Sequence, residues 1–513
     1  MRVFRKDISV KENKIIPSGA LVQSHEESLL CYGHFNLIHP GHIRFLEKAK
    51  EMGGRLFVAV TGDSSCDADE AQFFFSGIER AESVAAITIV DHVILMGEAS
   101  LKDIISVLRP TILFLGKEFE FEREQEVEGA IRLHKELGGR VKYHSGEIHY
   151  ASSNLLKRGI SDVKSDRIRL FRRACERQKI SLESLRYSID KFSRANLLVI
   201  GDTIVDHYVA CDALGMSSEA PVIVVKELES QRYIGGAGIV ASHIACLGGT
   251  CHYLSVVGDD SEANFVREEL ERFKVIHNLV VDSSRPTTFK TRFLVENQKL
   301  FRVSRLVDHD LDSSFEEKII QEIIRIAPTI GGILISDFVY GVITPRILEA
   351  IRAQANKYNL LLIGDIQCSS QFGDIKKFKQ FNLLCPTEKE ARYALGSRDE
   401  GIEWVANSLI KNTGARNLFL KLGSDGFIAY QDNDGFVNRQ HFPAINANPL
   451  DLMGAGDSLL AASSVSLAAG VSLMESAALG ACMASLAVQK LGNQPINSGE
   501  LIDLINDIWM ENE

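Results

Sequence analysis

The run Asp451-Leu452-Met453-Gly454-Ala455-Gly456-Asp457 holds the residue types that phosphoryl transfer needs. Gly454, Ala455 and Gly456 let backbone N–H groups close on a phosphate without side-chain obstruction, and the apolar, Ala-rich run from Leu459 predicts a helix starting there. A helix N-terminus favours anions through its unpaired donors and its dipole. Asp457, at the mouth of that nest, is placed to accept a proton from an attacking hydroxyl as it meets a γ-phosphate. A plain strand-to-helix turn has the same letters, so the motif gains meaning from its company.

A second candidate lies near the start of the chain. Leu29-Leu30-Cys31-Tyr32 runs into Gly33-His34-Phe35-Asn36-Leu37-Ile38-His39-Pro40-Gly41-His42, and Ile43, Phe45, Leu46 and Ala49 follow at helical spacing. This is a strand, a glycine loop and a helix start. His39 and His42 are three apart, so both imidazoles can point into one space. Two donors there can hold the α- and β-phosphates of a nucleoside triphosphate and stabilise charge as pyrophosphate leaves. The bland alternative is a structural or solvated histidine pair.

These candidates need elements to position them. A chain of 513 residues is too long for one ordinary core, so two or more domains are expected. The net charge of −11, with no long basic tract, argues against nucleic acid as the main partner and leaves room for a local positive site for anionic substrates. The charged start, Met1-Arg2-Val3-Phe4-Arg5-Lys6-Asp7, has no apolar signal-peptide core, which predicts a cytoplasmic protein. The longest uncharged run, 458–474, is short for a membrane span and is read as buried helix, with no membrane partner. Nine scattered cysteines with no C-x-x-C pair predict reduced thiols.

Residues 1–28 are weakly patterned. Strands near 55–60, 92–96, 111–115 and 140–144 alternate with helices near 41–53, 78–87, 101–108 and 124–137, which predicts a parallel sheet with helices on both faces. Ligands of such sheets bind at the carboxyl ends of strands, where residues 33–42 lie. Residues 157–194 are rich in Arg, Lys and Ser, with Leu182, Leu185, Ile189 and Phe192 at helical spacing; they read as a helical connector whose basic residues form a solvated face. Beyond it, Leu197-Leu198-Val199-Ile200 leads into Gly201-Asp202-Thr203-Ile204-Val205-Asp206, and Gly235-Gly236-Ala237-Gly238 opens a helix.

Over residues 29–156, the H-x-G-H of His39 to His42 with Glu79-Arg80, Leu115-Gly116-Lys117 and Ser152-Ser153 resembles the cytidylyltransferase-like nucleotidyltransferases. That resemblance implies catalytic His39 and His42, with Gly33, Phe35, Arg80, Ser152 and Ser153 meeting nucleotide or phosphate. The family usually has Asp where Asn36 stands. The second half resembles the ribokinase-like (PfkB) carbohydrate kinases in Gly201-Asp202, Gly235-Gly236, Ser336-Asp337-Phe338, Pro386-Thr387-Glu388-Lys389-Glu390, Lys421-Leu422-Gly423-Ser424-Asp425-Gly426 and the Asp457 motif. It implies Asp457 as catalytic base, Gly454, Ala455 and Gly456 as anion hole, Gly423 and Gly426 as nucleotide contacts, and Asp206, Gly235 and Gly236 facing the sugar. It also implies that Glu390 helps order Mg²⁺, a hard cation that needs oxygen ligands between phosphates.

Glu219-Ala220-Pro221-Val222, Asn297-Gln298-Lys299-Leu300-Phe301-Arg302 and Lys490-Leu491-Gly492 narrow the likeness to the heptose 7-phosphate kinase group of the ADP-heptose synthases, with the order of domains reversed. That group has Lys where Tyr340 and Gln367 stand, and the wider family commonly has Asn where Ile239 and Thr387 stand. The expectation is an α/β protein with a Rossmann-like nucleotidyltransferase domain over 1–156, a connector over 157–194 and a larger ribokinase-like domain over 195–513. A sugar phosphate and ATP, or CTP in the first domain, would be its substrates, Mg²⁺ its cofactor, and a homodimer through the kinase domain its assembly. The expected chemistry is a heptose 7-phosphate 1-kinase followed by a heptose 1-phosphate adenylyltransferase. Open alternatives are the same two reactions on another sugar phosphate or with CTP, and a catalytically degenerate half serving as a binding module.

Overall fold

The computed structural model describes residues 14–24, 26–35, 38, 40–62, 75–116, 119, 125–144, 160–217, 219, 222–295, 298–367, 373–397, 400–433, 436–446 and 449–510. The chain divides into two compact units, residues 1–163 with 397–405, and 164–396 with 406–513.

The first unit is built on a six-stranded sheet in the order Ile15–Pro17, His92–Leu95, Arg55–Val60, Ser28–Gly33, Ile112–Gly116, Arg140–His144. Every neighbouring pair is parallel. Strands such as Leu29–Cys31 and Leu56–Val60 are apolar throughout because both faces are covered. The helices Gly77–Ala85 and Leu101–Leu108 begin at capping boxes, Ser76 with Glu79 and Ser100 with Asp103, which satisfy orphan N–H groups at each start. The strand order reverses between Ser28–Gly33 and Ile112–Gly116, so the loop after Gly33 opens at the switch point of the sheet. The edge strand Ile15–Pro17 comes from the weakly patterned start; three residues are too few to show a period.

The second unit has a nine-stranded sheet, ordered Ile276–Val281, Thr250–Val257, Asn196–Gly201, Gly332–Asp337, Leu361–Ile366, Leu383–Leu384, Asn417–Lys421, Phe427–Asn433, Phe436–Phe442. It is parallel up to Asn417–Lys421, and its last two strands are antiparallel. The helices Ala455–Ala468 and Leu473–Ala487 are buried on nearly every side, which explains the long uncharged run. Among the described residues no helix is long and apolar enough to cross a membrane.

A separate four-stranded sheet, Gln298–Arg305, Thr288–Val295, Thr203–Met216 and Ile223–Gly236, belongs to the same unit. Residues from the expected connector also lie in this unit's core: Phe171, Cys175, Leu185, Ile189 and Phe192 are buried with Phe442, Leu479 and Ile505.

Candidate active site

The second unit encloses a cavity of about 970 Å³ with the N-terminus of the helix Ala455–Ala468 in its wall. The helix begins four residues before Leu459, because its first turn is made of small residues that hydrophobic spacing does not register. Gly454 precedes it at φ +76°, where an added Cβ would lie 2.7 Å from Asn493 Oδ1, so the turn requires glycine. Asp457 therefore falls in the first turn and lines the cavity at 7% exposure. Its Oδ1 accepts from Gln367 Nε2 at 2.6 Å. Burial pushes this carboxyl up to about 6; Asp206 adds to the rise, while Lys421, Gln367 and Lys290 oppose it. At neutral pH it is still mostly ionised and can accept a proton.

Beside it, Lys421 Nζ bonds both oxygens of Asp365 at 2.9 Å. Burial pushes Asp365 up to about 7, with Glu390 and Asp457 adding to the effect against the pull of Lys421. Burial also works against the Lys421 charge, but Asp365 and Glu390 outweigh it and hold its pKa above the ordinary value. A Cβ on Gly456 would sit 3.5 Å from this ammonium, which places a fixed cation beside the glycine nest. Glu390 is the third residue of the helix Glu388–Leu395; its Oε2 accepts from the Thr387 N–H at 2.7 Å in a capping box, and both residues line the cavity. Gly423, Gly426, Gly454, Ala455 and Gly456 line it too.

The charged side of the cavity comes from the four-stranded sheet. In Thr288–Val295 the alternation is inverted: Thr288, Lys290, Arg292 and Leu294 are buried while Phe289 and Phe293 are only half-buried. Arg292 Nη1 meets Asp206 Oδ1 at 2.5 Å, and Asn493 Nδ2 donates to the other oxygen at 2.7 Å. Asp206 lies so close to Gly235 that a Cβ there would be 2.3 Å from Oδ2. Gly236, at φ +61°, starts the helix Ala237–Cys246 and lines the cavity, whereas Ile239 is buried in that helix. Lys290 Nζ lies 5.4 Å and 5.0 Å from the ring centroids of Phe338 and Tyr340, a cation–π arrangement.

Lys299 Nζ bonds Asp451 Oδ1 at 2.9 Å, and the Tyr208 hydroxyl donates to Oδ2 at 2.9 Å. Burial disfavours the Asp451 carboxylate, but Lys299, the Met453 N–H and Tyr208 more than reverse this and hold its pKa below the usual range. Tyr340 is thus accompanied by Lys290, a cation from another strand. Among the described residues no three His, Cys, Asp or Glu side chains converge as a metal cluster.

In the first unit, Gly33 ends the strand Ser28–Gly33 at the switch point. Phe35 is buried at φ +50°, and its ring centroid lies 5.1 Å from that of His42 in the first turn of Pro40–Lys50. Arg80 is 1% exposed. It donates to the carbonyl of Phe75 at 3.2 Å, of His34 at 2.7 Å and of Thr61 at 2.9 Å. In this geometry its guanidinium ties together the segments at Phe75, His34 and Thr61. His39, Ser152 and Ser153, like Asn36, lie outside the described residues.

Sequence reasoning passed over Lys290, Arg292, Asn493 and the Gln367–Asp457 bond. Lys290 and Arg292 had a signal: charges at i and i+2 between phenylalanines in a strand. Asn493 reaches Asp206 from 287 residues away, and no local pattern carries that.

Residues 194–498, more than half of the chain, match the pfkB family of carbohydrate kinases. The chain belongs to that family. Residues 30–206 match the cytidylyltransferase-like family. This carbohydrate kinase homologue is 32% identical over 318 residues to "Bifunctional protein HldE" of Geotalea uraniireducens (strain Rf4), covering 61% of this chain and 64% of the relative. It is 29% identical over 317 residues to "Bifunctional protein HldE" of Campylobacter jejuni subsp. jejuni serotype O:6, covering 60% and 64%. The chain therefore spans less than two thirds of the length of these curated relatives. Phosphofructokinase-2 from Escherichia coli, solved with substrates and products, superimposes with a TM-score of 0.52 at 16% identity, covering 61% of this chain and 99% of that chain. At that identity the likeness shows the fold.

Proposed function

We propose that the chain makes a nucleotide-activated sugar in two steps: its second unit phosphorylates the anomeric hydroxyl of a sugar phosphate, and its first unit transfers a nucleotidyl group onto the resulting sugar 1-phosphate. Heptose 7-phosphate as the kinase substrate, and ATP for adenylyl transfer, fit the likeness to the heptose kinases and to relatives named bifunctional. The observation that carries the reading is Asp457 at a helix N-terminus, in one cavity with Lys290, Arg292, Lys299 and Arg302.

In the kinase step, Asp206 accepts from a sugar hydroxyl while the cations of the four-stranded sheet hold the sugar's phosphate. The anomeric O–H gives its proton to Asp457 as its oxygen attacks the γ-phosphorus of ATP. The N–H groups at Gly454–Gly456, with Lys421 beside them, face the γ-phosphoryl oxygens. Glu390, at the wall with Thr387, suits Mg²⁺, which would be held chiefly by substrate phosphates and water and would neutralise their charge. In the nucleotidyl step His42, with His39, stabilises the departing pyrophosphate, and Arg80 holds the main chain at His34, just after the strand Ser28–Gly33.

We place the enzyme in the cytoplasm as a homodimer through the kinase unit, supported by Leu214, Met216, Ile223, Leu228 and Val303, which the four-stranded sheet leaves exposed. Tyr340 and Gln367 favour a second reading, the same two reactions on another sugar phosphate or with CTP. A panel of sugar phosphates, followed by ADP release and then by pyrophosphate release with ATP or CTP, separates the two. Failure of every sugar phosphate to release ADP would overturn the kinase assignment.

A further inference from the structure

Arg167 stands on the helix Ile160–Arg177, ahead of the residues that match the carbohydrate kinases, yet it lines the kinase cavity. The sequence arranges this through one helical turn. Phe171, fully buried, packs its ring 6.2 Å from Phe442 and 6.3 Å from Trp509, centroid to centroid. Phe442 ends the edge strand Phe436–Phe442, so this ring contact sets the helix beside the chain that follows the strand. Arg167 is four residues before Phe171 and shares its face. It therefore lies over the chain that follows Phe442, and its Nη1 donates to the carbonyls of Ala444 at 3.2 Å and Asn446 at 2.6 Å. Pro443, Ala444, Ile445 and Asn446 all line the cavity.

The walls of the cavity divide by chemistry. Asp206, Lys290, Arg292 and Lys299 suit a hydroxylated, phosphorylated sugar, while Phe427, Ile445, Ala481, Ala484 and Val488 offer flat, uncharged surface. A nucleotide whose γ-phosphate meets the Gly454–Gly456 nest needs such a surface for its base. Arg167 is the cation on that side. A guanidinium is planar, presents five donors and stacks on aromatic rings, so two bonds from Nη1 leave it able to face a heteroaromatic ring. We propose that Arg167 is a nucleotide-binding residue of the kinase site, holding the loop 443–446 in place and facing the base of the bound nucleoside triphosphate. This rests on the kinase reading above.

The test measures ADP release by the full-length protein with Mg²⁺, ATP and heptose 7-phosphate, comparing wild type, Arg167→Ala and Arg167→Lys. In Arg167→Ala the KM for ATP should rise about tenfold, while the KM for the sugar phosphate and kcat stay within about twofold. Arg167→Lys, with a point charge in place of the planar fork, should recover only part of the loss. An unchanged KM for ATP would overturn the proposal, as would a joint loss of both KM values, kcat and the ligand-free Tm. If wild type releases no ADP with any sugar phosphate, the kinase reading fails separately, and thermal protection by Mg²⁺ and ATP decides about Arg167. Protection that survives His42→Ala and is lost in Arg167→Ala supports the role; equal protection in wild type and Arg167→Ala contradicts it.

Discussion

The kinase cavity draws its ionisable groups from strands and helices far apart in the chain and pairs them across those distances, whereas the described candidate residues Gly33, Phe35 and His42 of the first unit lie close together in sequence. Asp206 is matched by Arg292, Asp365 by Lys421 and Asp451 by Lys299. In the first unit the buried Arg80 donates to the main-chain carbonyls of Phe75, His34 and Thr61. The contrast teaches that a short motif names the chemistry, while the charge environment that tunes it is set by tertiary pairing.

Asp457→Asn removes the base of one site only, so kcat for ADP release should fall about 10³-fold while nucleotidyl transfer to a supplied sugar 1-phosphate is untouched. His42→Ala should do the reverse, lowering pyrophosphate release about 10²-fold with the kinase step unchanged. A single variant that silenced both steps would dissolve the division between the sites.

Stability should also separate the two kinds of burial. Arg292→Met leaves Asp206 buried without its cation and should cost about 3–5 kcal/mol in chemical denaturation. Arg80→Met removes the donors to the carbonyls of Phe75, His34 and Thr61 and should cost about 1–3 kcal/mol. Equal losses would argue that pairing does not distinguish the regions.

The smallest expected effect is on pH dependence. With Asp457 at about 6, kinase kcat/KM should fall as pH drops through that value, because the protonated base cannot accept. In Gln367→Lys a cation replaces a neutral donor at 2.6 Å and favours the charged carboxylate, so the acid limb should move to lower pH, by roughly one unit. An acid limb that stays in place would show that Gln367 does not tune the base.

The alternation of strands and helices across the first unit was legible, with boundaries within a few residues: 55–60 for Arg55–Val60 and 101–108 for Leu101–Leu108. Period and capping are local, and local signals survive in a sequence. The uncharged run 458–474 was legible as buried, but not as two helices, Ala455–Ala468 and Leu473–Ala487, parted at Gly470 with φ +80°, nor as starting at Ala455, since Ala455 and Gly456 carry no hydrophobic period. What was not legible depends on distance. Asn493 and Gln367 reach the Asp206 and Asp457 carboxylates from far along the chain, and the main-chain carbonyls that hold Arg80 come from Phe75, His34 and Thr61. Arg167, in a basic stretch read as solvated, is half-buried only because Phe171 one turn later enters the core.

We propose that one chain phosphorylates a sugar phosphate and then activates the product with a nucleotide. ³¹P NMR of the full-length protein with Mg²⁺, ATP and D-glycero-D-manno-heptose 7-phosphate, followed by addition of a phosphatase and a pyrophosphatase, tests it most directly. A heptose bisphosphate signal followed by a nucleotide diphosphate sugar is the expected result; starting material that stays intact would contradict heptose phosphate as the substrate.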